Sequence, residues 1–414
     1  MTRFLLFAVL CFAAPIHAAP VYAAPETPGL LPTSIARPQL DQDPGVAAAR
    51  AALDAARLEA GILEGSPYEW TARLSAQRRT LETGPRYREW NAAIERGLRL
   101  PGKAAADGSL AKATIEEAEA LYGDALHEAA RELLTLWLDT LGGERGRELA
   151  EANRSAAQEN LDAVEKRARA GDASRLDVGL AQGELAEQQR SANDANTQAT
   201  VAQGRLQARF PGVGLSAGAL SAPVRIKADA AYWRNRILAQ SDELKIAQAQ
   251  LRKAQASGAR ARAERLPDPT VGLYSASEIG GRERISGISI SIPLPGGQRS
   301  RRADKAIHSV EAARQEVERR KRQLEAEIAA SVATAEGSHL SLQIAETGAA
   351  AMQDNAKLMQ RAYTLGEADL QALLSARRQA TTATQNALAA RMTALKAHYL
   401  LLIDAHLVWD LDHE

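Results

Sequence analysis

The chain has 414 residues with 51 Lys+Arg set against 51 Asp+Glu, so its formal net charge is zero and it has no basic excess with which to collect phosphates. That argues against a nucleic-acid partner. Aromatic residues make up 4% of the chain while Ala makes up about a fifth, and side chains that small suit thin helix seams better than one thick globular core.

In chain order, Arg3 precedes an apolar stretch from Phe4 to Ala14, and small residues follow with candidate cleavage points after Ala18, Ala23 or Ala24. This is the pattern of a secretory signal peptide, assigned to residues 1–23, and it is too short to span a bilayer. The sole cysteine, Cys11, follows Leu10 inside that stretch, where a lipid-attachment site would want a small residue, so it reads as signal core. The rest of the chain then has no thiol for a disulfide or a Cys-ligated metal. Beyond the signal there is no run of about 18 apolar residues, so only strands could cross a membrane.

Residues 24–44 are expected to be extended, and a repeat then follows. VAAARAALDAAR (46–57) resembles LKIAQAQLRKAQ (244–255), Leu100-Pro101-Gly102 is echoed by Leu294-Pro295-Gly296, and Gly171 is echoed by Gly366, 195 residues on. The first copy spans 45–210, with strands at about 68–77 and 87–98, a long helix at 103–168, a turn at 169–174 and a helix at 174–208. An irregular equatorial segment covers 211–236. The second copy spans 237–414, with strands at about 270–277 and 284–294, a long helix at 297–363, a turn at 364–369 and a helix at 369–408. Proline is absent from 102–210 and 296–414, as long helices require.

The strands alternate with period 2, which separates a wet face from a dry one. Trp70, Trp90, Ile288, Ile290 and Ile292 fall on the apolar side, expected to face lipid; Glu69, Arg73, Ser289 and Ser291 fall on the polar side, expected to line a lumen. A soluble sheet with one wet face gives the same pattern. The signal peptide, the short joins at 78–86 and 278–284, and Tyr68, Trp70, Tyr87 and Trp90 as an interfacial girdle favour a barrel. Four strands cannot close a barrel, and an open edge in lipid leaves backbone groups unpaired, so the chain must oligomerise; three copies giving twelve strands is the simplest closure.

The helix at 103–168 would be roughly 100 Å long, and the return path is split into two pieces stacked beside it. Ala157, Leu161, Val164 and Ala168 keep the 4-3-4 spacing of a coiled-coil seam. At the first turn Gly171 can end the helix left-handed, Ser174 can cap the next one, and Asp177 completes a capping box; Gly366 and Asp369 hold the matching places in the second.

This order of elements resembles the TolC-like outer-membrane factors of Gram-negative bacteria over essentially the whole mature chain. The resemblance implies a homotrimer with an outer-membrane β-barrel and a long periplasmic α-barrel, a passive channel that docks by its turns to a periplasmic adaptor (membrane fusion) protein and an inner-membrane efflux pump. Gly171, Ala173, Ser174, Leu176, Asp177, Gly366, Ala368, Asp369 and Leu370 would form the docking turns. Size, tight joins and the IPLPGG segment look most like CzcC-type members, which serve metal-cation pumps; drug-efflux and type I secretion channels are the alternatives. Family turns follow Gly-x-x-x-x-x-Asp-Val-x-x-Ala, matched by Gly171, Asp177, Val178 and Ala181, whereas the second turn carries Ala372 and Leu373 at the Asp and Val positions. The family's acidic gate positions hold Ala372 and Ser375 here, so Asp177 is a pore-gate candidate, equally readable as a helix cap.

An enzyme is disfavoured, because no nucleophile elbow, His-x-x-x-His pair or P-loop Lys-Ser/Thr is present. His398, His406, Asp410 and His413 could in principle hold a metal, but charged helix ends are usually just solvated, and neither a resident metal nor a cofactor is expected. The rival of another class is a periplasmic coiled-coil adaptor or scaffold. An adaptor has one helical hairpin between β-rich modules, whereas this chain has two hairpins with strands at one end only.

Overall fold

The structure is a computed structural model and describes residues 29–214, 220, 222–226, 229–294 and 296–411. The signal peptide with Cys11, as well as Pro295 and His413, lies outside the described residues. The elements are α1 (Thr33–Asp41), α2 (Pro44–Glu64), β1 (Thr71–Thr80), β2 (Arg86–Gly97), α3 (Pro101–Ala170), α4 (Arg175–Arg209), α5 (Ala230–Gln240), α6 (Asp242–Ala263), β3 (Thr270–Glu278), β4 (Glu283–Ser291), α7 (Gly297–Leu365) and α8 (Leu370–Asp404).

The duplication is close in length as well as order. α3 has 70 residues and α7 has 69, each about 105 Å long, and α4 and α8 have 35 each. Four expectations need correction. Residues 24–44 are not simply extended, since α1 forms there with Pro38 inside it. The segment 211–236 is not irregular throughout, because Asp229 caps α5 by accepting from the Tyr232 N–H at 2.8 Å. β4 ends at Ser291 and α8 at Asp404, short of the expected 294 and 408.

The helices lie side by side as a single wall. α3 packs on α2 and α6 toward the sheet and on α4 and α8 toward the turns, while α7 packs on α6, α5 and α8. Exposed faces carry Arg–Glu pairs one turn apart, such as Arg154–Glu151 and Arg190–Glu187, which water screens so that each adds little. The main core sits midway along the wall. It combines Leu40 of α1, Leu126, Leu133, Leu134 and Trp137 of α3, Tyr399, Leu402 and Ile403 of α8, and Phe210 and Trp409 from connecting segments. Full burial of each such side chain is worth about 1.5–3 kcal/mol, and two indole N–H groups tie it to the N-terminal segment, Trp137 to Gly29 O at 3.1 Å and Trp409 to Leu31 O at 2.8 Å. A second, smaller core joins Leu161 and Val164 to Leu370, Leu373 and Leu374 near the turns.

The sheet runs β1-β2-β3-β4, antiparallel throughout. β2 and β3 therefore fuse the two repeats, and β1 and β4 are left as edges. At the foot of the sheet the Lys103 ammonium meets the Asp268 carboxylate at 2.9 Å with both side chains almost fully buried. Tyr68 Oη donates to the same carboxylate at 2.6 Å and the Leu100 N–H at 3.1 Å. Each repeat thus contributes to one polar knot where strands become helices.

Candidate functional site: the two ends of the helical wall

At the sheet end, the register sorts the side chains. Leu74 lies opposite Ala92, Ala76 opposite Trp90, Ile94 opposite Leu273, Leu273 opposite Ile288 and Val271 opposite Ile290. These residues share one face, and Leu74, Leu273, Ile288 and Ile290 are each more than half exposed in the single chain. Trp70 and Ile292 flank the strands and are likewise exposed at 61% and 59%. The other face is polar. Arg73 pairs with Glu95 at 2.7 Å, Gln77 donates to Glu89 at 2.9 Å, and Arg79 reaches Glu89 at 2.9 Å and Glu278 at 3.0 Å. Ser289 and Ser291 lie on this polar face opposite Gly272 and Thr270, and exposed Glu69 just precedes β1.

Cross-strand contacts explain two residue choices on the sheet. A Cβ at Gly287 would stand 2.6 Å from Tyr274 Oη, so the Tyr274 ring can cross its neighbour only over glycine. Tyr87 pairs with Arg79 and so lies on the polar face, opposite Trp90, which removes it from the expected girdle. The ladder of Arg79, Glu89, Glu95 and Glu278 was not singled out from the sequence. Period 2 puts Glu89 and Glu95 on the polar side with Arg73 and Arg79, and the register decides which charges meet.

At the far end both long helices stop in the same way. Gly171 has φ 86° and Gly366 has φ 81°, a left-handed conformation that costs a side-chain-bearing residue about 1–2 kcal/mol. Gly171 N–H donates to Ala168 O and Asp172 N–H to Arg167 O; Gly366 N–H donates to Tyr363 O and Glu367 N–H to Ala362 O. These are the paired bonds of a Schellman ending. Ser174 Oγ accepts from the Asp177 N–H at 3.1 Å while Asp177 Oδ2 accepts from the Ser174 N–H at 2.8 Å and from its hydroxyl at 2.8 Å. Those bonds, the backbone one foremost, hold the Asp177 carboxyl below its ordinary range. Its carboxylate is engaged as a cap. Asp369 accepts from the Ala372 N–H at 2.7 Å, with no carboxylate to return the bond.

The apolar residues of the turns separate. Leu176 is 71% exposed, but Leu370, expected to protrude as its counterpart, is 2% exposed and belongs to the smaller core. Leu370 is the first residue of α8 and falls on the face toward α3, whereas Leu176 is the second residue of α4 and points away. Leu365, just before Gly366, is 67% exposed. Ala173 and Ala368 are half-buried beside these positions.

Of the four residues considered for a metal, the three that are described, His398, His406 and Asp410, do not assemble with one another. His398 is buried beside Tyr399, ring centroids 5.3 Å apart; Asp410 uses its carbonyl to accept from Arg37. His406 alone joins a ligand-rich group, with His127 and Asp242.

No curated protein sequence matches the chain significantly. The profile of the family described as outer membrane efflux protein matches residues 37–210 and 233–401. Among solved structures, the fold is similar to a membrane protein from Pseudomonas aeruginosa with a TM-score of 0.75 at 17% identity, covering 94% of this chain and 99% of that one. It is similar to the outer membrane protein VceC of Vibrio cholerae with a TM-score of 0.74 at 15% identity, covering 90% and 95%. The open-state MtrE outer membrane channel of Neisseria gonorrhoeae gives 0.69 at 18% identity, covering 94% of each chain. With the profile covering both repeats, the chain belongs to the outer membrane efflux protein family: an outer-membrane efflux channel with a large periplasmic helical part, and not an enzyme.

Proposed function

We propose that three copies of this chain close a twelve-stranded barrel over a continuous helical tunnel, and that the turns at Gly171 and Gly366 dock onto a periplasmic adaptor so that an inner-membrane pump can drive cargo through. The observation that carries the reading is the pairing of a sheet with two open edges and one apolar face with helices of about 105 Å that end in exposed turns. Lipid would cover the face of Trp70, Trp90, Ile288, Ile290 and Ile292, and water the face of Glu69, Arg73, Ser289 and Ser291. Leu176 and Leu365, rather than Leu370, supply the exposed apolar contacts at the tips. Asp177 shapes its turn as a cap, which leaves it a weaker gate candidate. Metal cations are the proposed cargo, on the likeness of size, tight joins and IPLPGG segment to CzcC-type channels; drug efflux is the competing reading.

Crosslinking from cysteines placed at Ala173 and Ala368 tests the docking. Adducts with an adaptor at these positions, in cells whose channel migrates as a heat-sensitive outer-membrane trimer, are the expected result. Adducts only from mid-helix positions would overturn tip docking. Loss of the chain should sensitise cells to divalent metals; sensitivity to drugs alone would transfer the cargo assignment to the competing reading.

A further inference from the structure

Among the described residues, a cluster of ligating side chains lies in the wall away from the strands and the turns. His127 of α3, Asp242 at the start of α6 and His406 just beyond α8 each bring one ligand atom to within 4.8 Å of the others. Asp242 is 1% exposed and His406 is 8% exposed. Asp242 Oδ1 is taken by the Lys245 ammonium at 2.9 Å. Asp242 Oδ2 receives no hydrogen bond and lies 4.0 Å from His406 Nε2. An unpaired carboxylate oxygen in such a place costs on the order of a few kcal/mol unless something else satisfies it.

The surroundings are suited to a cation. A cavity of about 320 Å³ opens against His127 and Asp242. Arg131, which also lines it, is already paired, its Nη1 held by Asp404 Oδ1 at 2.6 Å. That same carboxylate oxygen stands 3.2 Å from His127 Nε2 and orients the ring. The backbone gives a further reason. His406, Trp409 and Asp410 all have positive φ, at 51°, 64° and 51°, and non-glycine residues in that region persist only where surrounding contacts hold them. Trp409 is anchored through Leu31 and Asp410 through Arg37.

We propose that His127, Asp242 and His406 form a binding site for a resident divalent transition-metal ion, which clips the turn after α8 onto α3 and α6. Two imidazoles and a carboxylate are the donor set of zinc and its borderline neighbours, with water completing the coordination. Ligands at 2.0–2.1 Å around a tetrahedral ion lie about 3.3 Å apart, so atoms that lie within 4.8 Å of one another need to close by at most about 1.5 Å. The ion sits within one chain and joins the last segment of the second repeat to helices of both repeats. It is a structural clip and is independent of the cargo.

Zinc binding to the purified, untagged full-length channel in detergent, stripped with chelator and then desalted, tests this. Wild type should retain one Zn²⁺ per chain after gel filtration, and Co²⁺ in its place should show visible ligand-field bands. Asp242→Asn and His406→Gln should each weaken retention at least about 100-fold, while His398→Gln leaves it unchanged. Saturating Zn²⁺ should raise the unfolding midpoint of wild type and not of the two variants. If either variant fails to assemble, His127→Gln decides the matter. Stripped wild type that keeps no zinc after Zn²⁺ is added back and the excess removed, or ligand variants that keep it as wild type does, would overturn the proposal.

Discussion

The two helical turns reach one backbone geometry with different side chains. Both place glycine in the left-handed region and close the long helix with the same pair of bonds, yet the first fixes its returning helix with the reciprocal Ser174–Asp177 cap while the second has only the one-way Asp369 bond. What the second lacks in polar capping it gains in packing, since Leu370 is sunk into the smaller core whereas its counterpart by position, Arg175, is exposed. Duplication has preserved the path of the chain, and each copy has found its own means of holding it.

The largest effect should come from packing. Leu370→Ala is expected to destabilise by about 2–5 kcal/mol, against less than about 0.5 kcal/mol for Leu176→Ala, measured by denaturant unfolding. Equal losses would erase the asymmetry between the turns.

A second difference lies farther along the returning helices. His398 on α8 corresponds by the repeat offset to Gln203 on α4. Burial, assisted by His339, pushes the His398 pKa from 6.5 down to about 4. The unfolded chain therefore takes up a proton between those values that the folded chain refuses, and stability falls as pH drops from 6.5 toward 4, by up to about 3 kcal/mol per chain. Unfolding at pH 7 and pH 5 should show this loss in wild type and a reduced loss in His398→Gln. An unchanged pH dependence would remove His398 as the cause.

The smallest effects concern the caps. Ser174→Ala and Asp369→Ala should each cost about 1 kcal/mol. The depressed Asp177 pKa makes its contribution present above the ordinary carboxylate range and lost as pH falls through the folded value. Acid should thus loosen the first turn in a way that Asp177→Asn abolishes, read by amide exchange at residues 172–177.

Much of this was legible because periodic patterns act locally. Period-2 alternation identified Ile288 and Ile290 against Ser289 and Ser291, and the spacing of Gly171, Ser174 and Asp177 named a turn before any contact was known. What stayed hidden depends on partners distant in sequence. Leu370 looked like Leu176 until α3 came to lie beside it. Nothing local links His127, Asp242 and His406, which come from three separate elements. Tyr87 was misplaced for a simpler reason, because aromatic character drew it to a girdle while its odd position in β2 turned it to the polar face.

The open edges of the sheet carry a genetic consequence. Since β1 and β4 are at opposite ends of the strand order, a ring of identical copies must join one chain's first strand to the next chain's last, and every subunit takes part in two seams. A damaged edge is then not diluted by intact neighbours. In a cell expressing equal amounts of normal and edge-defective chains, random mixing into threes would leave only about one assembly in eight free of a faulty seam. Alleles of that kind should behave as dominant, whereas alleles that merely fail to fold should be recessive.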